Sequence, residues 1–473
     1  MKLDSIDIEE AVTKIKRLLK EEQGLSPALA ASIEVILLVI ALLVNRLNLN
    51  SKNSSKPPSA DPNRKKDKKP AGKRKPGGQK GHDGKTLQKT ENPDRIKDLK
   101  VDRSKLPPGN YKEVDYESRQ VVDLDISKIV TEYRAQVLED ENGKKYVAEF
   151  PKGITRPVQY GAEVKIHAVY MSQFQLVPYN RIEDMFIDQI GIPVSSGTIF
   201  NFNEDAYLRL EMFEAIVKSK LIHSDLIHVD ETGINRDGKR IWLHSASNER
   251  WTLFFPHEKR GSLAMDAMGV ISEFKGVLCH DHWKPYFKYD CEHALCNAHH
   301  LRELERAFEQ DEQQWAKNMQ SLLIEINKAV NDAGDCLSFK VSTAYRKKYR
   351  SILDSAQIEC PPPDESQRKK GSRGRMKRSR ARSLLERLID FEKETLRFMD
   401  DPNVPFTNNQ GENDIRMTKV QQKISGCFRS QKGAEMFCRI RSYLSTCRKH
   451  DMRASAALRL LFEGKLPDFL SEI

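Results

Sequence analysis

Three carboxylates stand where a chain can bring acids together. Asp230 follows a short apolar run, Leu226-Ile227-His228-Val229, and is expected to close a β-strand; Asp281 is expected to close another after Leu278-Cys279-His280. Glu412 opens a helical stretch in Asn408-Asn409-Gln410-Gly411-Glu412-Asn413. An acid at the end of a buried strand is costly unless it is paired or bound to a cation. Two such acids face each other when their strands are neighbours, and a third from a packed helix completes an oxygen cage. Hard divalent ions such as Mg²⁺ favour carboxylates, water and phosphate oxygens. A pair of them about 3.5–4 Å apart activates an attacking hydroxyl and stabilises the leaving oxygen of an in-line phosphoryl displacement. With 68 acids in the chain, spacing alone does not single out this triad, because a strand-end Asp also serves as a cap or turn former. Asp225, Glu231 and Asp414 lie close by. Strand alternation turns Glu231 away from Asp230, and Asp414 falls about 200° around the helix from Glu412.

The elements needed to hold these acids can be read around them. Residues 222–297 are strand-rich, with strands expected at 226–230, 240–246, 251–255 and 276–281 and a helical piece at 262–274, giving a mixed α/β layer. Residues 301–395 read as helices interrupted by a basic loop, and a last helix begins near Asn409. Upstream, 184–199 has the pattern of helix, glycine turn and capped helix, compatible with a helix-turn-helix. Alternation at 120–124, 129–137 and 145–149, with a turn at Glu141-Asn142-Gly143, predicts a small β unit. Residues 48–90 are polar and linker-like. Residues 7–22 form a charged helix, followed by Leu29–Leu49 with an unbroken apolar run from Val35 to Val44. Ten residues reach only about 15 Å as a helix, half a bilayer core. Ile33, Ile36, Ile40, Leu43 and Leu47 follow 3-4 spacing, so this stretch is expected to associate with a second copy rather than with a membrane.

The chain has 473 residues, enough for about three domains, and a net charge of +11. That charge is concentrated. Arg64–Lys80 holds nine Lys/Arg and one acid, and Arg368–Arg382 holds nine and none, leaving the remainder net acidic. Lys65, Lys66, Lys68, Lys69, Lys73, Arg74 and Lys75, with Arg368, Lys369 and Lys370, therefore suit a polyanion through counterion release; the alternative is a solvated tether. Arg416, Lys419 and Lys423 make a basic stripe beside Glu412, extended by Arg429, Lys432, Arg439 and Arg441. All eight cysteines lie beyond residue 278, which suits a reducing cytoplasm, and no secretory signal opens the chain. Composition excludes a membrane channel, a secreted mini-protein and a wholly disordered chain. Cys291-x4-Cys296-x2-His299-His300 has some zinc-ligand spacing, but no second ligand pair follows, so packing or DNA positioning is the expected role.

Several strings in order resemble transposases of the insertion sequence 66 family. They are Asn50-Ser51-Lys52-Asn53-Ser54-Ser55-Lys56-Pro57-Pro58-Ser59, Pro76-Gly77-Gly78-Gln79 with Gly81-His82, His228-Val229-Asp230-Glu231-Thr232, and Asp281 with Pro285-Tyr286. Cys296-Asn297-Ala298-His299-His300-Leu301-Arg302-Glu303-Leu304 and Asn408-Asn409-Gln410-Gly411-Glu412-Asn413 continue the series. The resemblance implies an RNase H-like α/β catalytic core split by a helical insertion, with Asp230, Asp281 and Glu412 as an Asp-Asp-Glu triad binding two Mg²⁺ or Mn²⁺ ions. It implies cleavage at the ends of a mobile element and joining of the freed 3′-hydroxyls to target DNA. The expected partners are double-stranded DNA, further copies of the chain and accessory proteins, in a bacterial cytoplasm at the nucleoid. Relatives carry a small cysteine-bearing zinc module; residues 83–278 here contain no cysteine, so no zinc is expected in that module. The implied organisation is an associating helical segment (1–50), basic linker (51–100), degenerate β unit (101–157), helical DNA-binding segment (158–220), core (221–300), insertion (301–400), core (401–450) and helical tail (451–473). Two other readings stay open: an inactive DNA-binding relative, and a metal-dependent nuclease without strand transfer.

Overall fold

The computed structural model describes residues 2–3, 6–21, 24, 26–54, 61, 87–334, 336–364, 366, 368 and 376–470. Lys65, Lys66, Lys68, Lys69, Lys73, Arg74, Lys75, Lys369 and Lys370 lie outside the described residues. The chain divides into two compact units: Met1–Arg64, Phe150–Met185 and Pro193–Ile473 make one, Lys65–Glu149 and Phe186–Ile192 the other.

The first unit begins with a short strand pair, β1 (Lys2–Leu3) and β2 (Ile6–Asp7), then helices α1 (Ile8–Glu21) and α2 (Pro27–Leu47). Ser26 starts α2 by accepting the Leu29 N–H, and Pro27 supplies a preset first turn. The helix has 21 residues, about 31 Å. By length and composition it is long enough to cross a membrane, because the polar-flanked ends are helical too and not only the run from Val35 to Val44. Among its described side chains only Leu37 is buried. Its C-terminal end is docked: Gln310 donates to the Asn45 carbonyl (3.3 Å), and Asn53, 2% exposed, donates to Glu309 (2.7 Å).

In the second unit, β3 (Val137–Glu139) pairs antiparallel with β4 (Lys145–Val147). Asp140 accepts the N–H groups of Asn142 and Lys144 to close the turn, with Gly143 at φ 78°. The strands expected at 120–124 and 129–136 are absent. Val121, Leu124, Ile129 and Val130 stay exposed, so the alternation finds no partner strand and no face to bury.

Helices α3 (Ala162–Val169), α4 (Tyr179–Met185), α5 (Ser196–Arg209) and α6 (Glu211–Ile222) precede the sheet. The sheet then uses β5 (Leu226–Arg236), β6 (Lys239–Ser247), β7 (Thr252–His257), β8 (Val277–His280) and β9 (Glu292–Leu295), with α7 (Ser262–Met268) before β8. Its order is β7-β6-β5-β8-β9: the first three strands run antiparallel, and β5, β8 and β9 run parallel. Parallel strands need a crossover, and α7 provides it between β5 and β8. Gly276 enters β8 where a Cβ would lie 2.4 Å from the Asp225 carbonyl, so only glycine fits.

Helices α8 (Asn297–Asp311), α9 (Gln314–Ala333), α10 (Phe339–Glu359), α11 (Arg380–Asp390) and α12 (Glu392–Leu396) enclose a core around Trp315, Leu323, Tyr349 and Leu385. The chain returns to the sheet with α13 (Asn409–Ser425) and α14 (Gln431–Lys449), then ends in α15 (Ala454–Phe462). Ile415, Ala434 and Phe437 pack on Ile234, Ile241, Leu243 and Phe254. The open edge of β7 is covered by α14: Ser442 and Thr446 hydroxyls accept the Phe254 and Thr252 N–H groups.

Candidate active site

The strand register brings two of the nominated acids level. His228 of β5 pairs with Cys279 of β8, so Asp230 and Asp281 each lie two residues further along neighbouring parallel strands. Neighbouring strands are about 4.8 Å apart, and residues at equal offsets share a face. Asp281 lies just past β8, as expected. Asp230 does not close its strand; β5 continues to Arg236 through antiparallel pairing with β6 alone. The strand end that matters is thus the end of the β5–β8 pairing. Immediately after Asp281 the backbone turns sharply: His282 is held at φ 70°, a conformation costly for a residue with a Cβ.

Glu412 arrives on α13, which is anchored by Asn408. Asn408 is 1% exposed; its amide donates to the Val229 carbonyl (2.9 Å), and its Oδ1 accepts from His228 Nδ1 (2.7 Å). Its backbone N–H points at Cys296 Sγ (3.1 Å), and its carbonyl accepts the Glu412 N–H (3.1 Å). A side chain at Gly411 would press on Asn408 at 3.1 Å, so the small residue lets the first turn close.

Burial and neighbouring charges act on both aspartates. Burial pushes the Asp230 carboxyl up to about 8, and the charges of Glu231, Asp281 and Glu412 push in the same direction. Burial also raises Asp281, opposed by the Trp283 N–H (3.1 Å) and by Arg260. Two half-buried aspartates level on neighbouring strands are oxygen donors of the kind a hard divalent cation takes, so they fit such an ion.

A second group beside them was not legible in the sequence. Glu231 lies on the other face of β5 by alternation, yet it is within electrostatic reach of Asp230 and Asp281. Its side chain is 1% exposed and is held by Arg260 and by the Tyr286 hydroxyl (2.6 Å). The Arg260 guanidinium lies between two indoles, 4.7 Å from the Trp242 ring centre and 4.0 Å from that of Trp283. Asp414 is occupied elsewhere, bonded to Lys449 (2.8 Å), and Asp225 is exposed.

The basic side chains divide by environment. Arg416, Lys423 and Arg429 are exposed, and Arg368 is exposed where the basic loop is described. Lys419 donates to the Gly233 carbonyl (2.8 Å); burial and Arg240 lower its pKa, while Asp230 raises it. Arg378 and Arg382 both pair with Glu386, and Arg382 is buried against the Cys360 carbonyl. Arg439 pairs with Glu214, and Arg441 is buried, donating to the Gln173 and Phe174 carbonyls. Those four bind the fold: Arg382, Arg439 and Arg441 lie on inward-turned faces of α11 and α14, and Arg378, just before α11, is held by Glu386.

The zinc-like spacing Cys291-x4-Cys296-x2-His299-His300 does not bring its four residues together as one ligand group. Cys291 and Cys296 flank the two ends of β9, and His300 is buried on Asn297 (3.0 Å). Cys296, His299 and Glu412 do come together, with ligand atoms within 4.8 Å of one another.

The five-strand mixed sheet, with helices packed on it, defines the chain as an α/β protein, with two aspartates level on its central parallel strands. The Transposase IS66 family matches residues 157–436, and the chain belongs to this family. Membership makes it a DNA transposase by class and implies a divalent metal in general terms. Residues 2–88 match the Family of unknown function (DUF6444). No curated protein matches the chain.

Proposed function

We propose that this chain cleaves the ends of an insertion sequence and joins the freed 3′-hydroxyls to target DNA, using Asp230, Asp281 and Glu412. The observation that carries the reading is the register that sets Asp230 and Asp281 level on neighbouring parallel strands, with Asn408 anchoring the helix of Glu412 to Val229, the residue before Asp230. The strand order β7-β6-β5-β8-β9 supports an RNase H-like core, and helices α8–α12, falling between β9 and α13, support an insertion into it.

Asp230 and Asp281 would hold Mg²⁺ or Mn²⁺ jointly, and Glu412 would close the cage from α13. Two bound ions would supply activation of the attacking hydroxyl and stabilisation of the leaving oxygen. Arg416, Lys419 and Lys423 lie on the same helix as Glu412 and would hold DNA phosphates beside it. The basic blocks, with Lys65, Lys66, Lys68, Lys69, Lys73, Arg74, Lys75, Arg368, Lys369 and Lys370, would add sequence-independent affinity. The exposed apolar face of α2 supports association of two copies, each holding one element end.

The test is a labelled element end incubated with Mg²⁺ or Mn²⁺ and a target duplex. Wild type should give cleaved and joined products, and Asp230→Ala and Asp281→Asn should give neither. Products unchanged in Asp230→Ala would reject the triad. Cleaved ends that never join would reassign the protein as a nuclease, and binding without cleavage by wild type as an inactive relative.

A further inference from the structure

We propose that Cys296 Sγ, His299 Nδ1 and Glu412 Oε1 form a separate site for a Zn²⁺-class ion, sharing Glu412 with the carboxylate cage. The three donor atoms lie within 4.8 Å of one another. His299 Nδ1 and Glu412 Oε1 are 3.9 Å apart, and both are buried without a hydrogen-bond partner. A buried polar atom left unpaired is costly, and two of them aimed at one spot beside a sulfur are satisfied together by one cation.

The donor set selects the ion. Mg²⁺ prefers oxygen alone, whereas thiolate and imidazole favour zinc and its neighbours. Three protein ligands leave a fourth, open position for water. Burial and the Glu412 charge push the Cys296 thiol up, and a cation held by the three donors would offset both. The Asn408 N–H, 3.1 Å from the sulfur, and the backbone N–H groups of Ala298 and His299 at the start of α8 oppose that rise. Cys296 and His299 are three residues apart across the first turn of α8, which puts both side chains on one face.

The site ties α8 to α13 and fixes one oxygen of Glu412, leaving its second oxygen for the cage. That consequence rests on the proposed catalytic role of Glu412; the binding of zinc does not.

The full-length protein, stripped with chelator and re-equilibrated with Zn²⁺ in excess Mg²⁺, should retain one zinc per chain. Co²⁺ in its place should give a thiolate-to-cobalt absorption. Cys296→Ser should abolish both, and His299→Gln should weaken retention at least tenfold. Asp230→Asn, Asp281→Asn and the exposed-thiol variant Cys427→Ser should keep both. Wild type that retains no zinc, or a Cys296→Ser protein with unchanged stoichiometry and absorption, overturns the proposal. Should Cys296→Ser fail to fold, His299→Gln decides: an unchanged cobalt spectrum and affinity overturn the proposal, and a weakened one supports it. If Asp230→Asn still cleaves DNA while zinc is retained, the catalytic reading fails and the zinc site stands.

Discussion

Asn408 reaches across 179 residues of sequence to donate its side-chain amide to the Val229 carbonyl at 2.9 Å. One bond thus links the residue before Asp230 to the residue that precedes the helix of Glu412. Asparagine at a helix start ordinarily caps its own helix. Here the side chain makes no such cap bond and is turned sideways onto β5 and His228.

Replacing it tests that geometry. Asn408→Ala leaves a buried carbonyl and a buried imidazole N–H without partners, so unfolding stability should fall by about 2–4 kcal/mol. Cleavage should fall further than folding accounts for, because α13 is released from β5. Denaturant titration alongside a cleavage assay at low temperature separates the two effects. Full activity in a measurably destabilised Asn408→Ala protein would contradict the anchoring role.

Much of the sheet was legible because β5, β6 and β7 are apolar on their buried face. The end of β5 was not, and the reason is its pairing. Up to His228 the strand has neighbours on both sides and is apolar; from Asp230 onward β8 has ended and the sequence turns polar, although β6 still pairs to Arg236. The apolar run therefore marks the parallel neighbour's length. Strand β9, Glu292-His293-Ala294-Leu295, is too short and mixed to announce itself. Asn408 and Cys296 sit in strings that pointed to the family, but their roles depend on contacts over a hundred residues away, which no local pattern encodes. At 120–136 the alternation misled because nothing pairs with it.

Asp414 competes with Glu412 for the third acidic position, and its partner separates them. Lys449 Nζ lies 2.8 Å from Asp414, with both side chains about one-seventh exposed. Removing one member of such a pair strands the other, so Lys449→Met should cost about 3–5 kcal/mol. Asp414→Asn should lose stability yet, where folded, cleave DNA within a few-fold of wild type. Glu412→Gln should do the opposite, remaining stable and inactive. Equal loss of cleavage in both would move the third acid.

His244 gives a pH-dependent stability. It is 2% exposed, and burial pushes it down to about 4; a bond to the Lys259 backbone opposes this, and His257 and Arg260 reinforce it. The unfolded chain takes up this proton near pH 6.5, the folded chain only near 4. The stabilising contribution is therefore complete above pH 6.5 and is lost as pH falls from there towards 4, by at most about 3 kcal/mol. His244→Gln removes this dependence, so the stability advantage of wild type over the variant should shrink between about pH 7 and pH 4.5. Urea midpoints that fall in parallel for both proteins would rule it out.

The apolar surface of α2 predicts self-association. Ile36 and Leu43 are more than half exposed, so Ile36→Glu and Leu43→Glu remove no intramolecular packing and should leave monomer stability within about 0.5 kcal/mol. Sedimentation should show the wild-type oligomer dissociating at higher protein concentration in the double variant. An unchanged oligomer would place the interface elsewhere.

Arg260 is the one cation bonded to Glu231, a carboxylate whose side chain is 1% exposed, among the partners described for it. Arg260→Ala leaves that charge buried beside Asp281 and Asp230, held only by the Tyr286 hydroxyl, and should cost about 3 kcal/mol or more. Lysine should recover less than half, since an ammonium cannot lie flat between the Trp242 and Trp283 rings while bonding the carboxylate through two nitrogens. The cause can be isolated with a second substitution. If the penalty is the stranded charge, Glu231→Gln in the Arg260→Ala background should restore most of the lost stability, because the amide carries no charge to bury. If it is instead the lost stacking on the two indoles, Glu231→Gln restores nothing, and thermal unfolding of the four proteins distinguishes the outcomes.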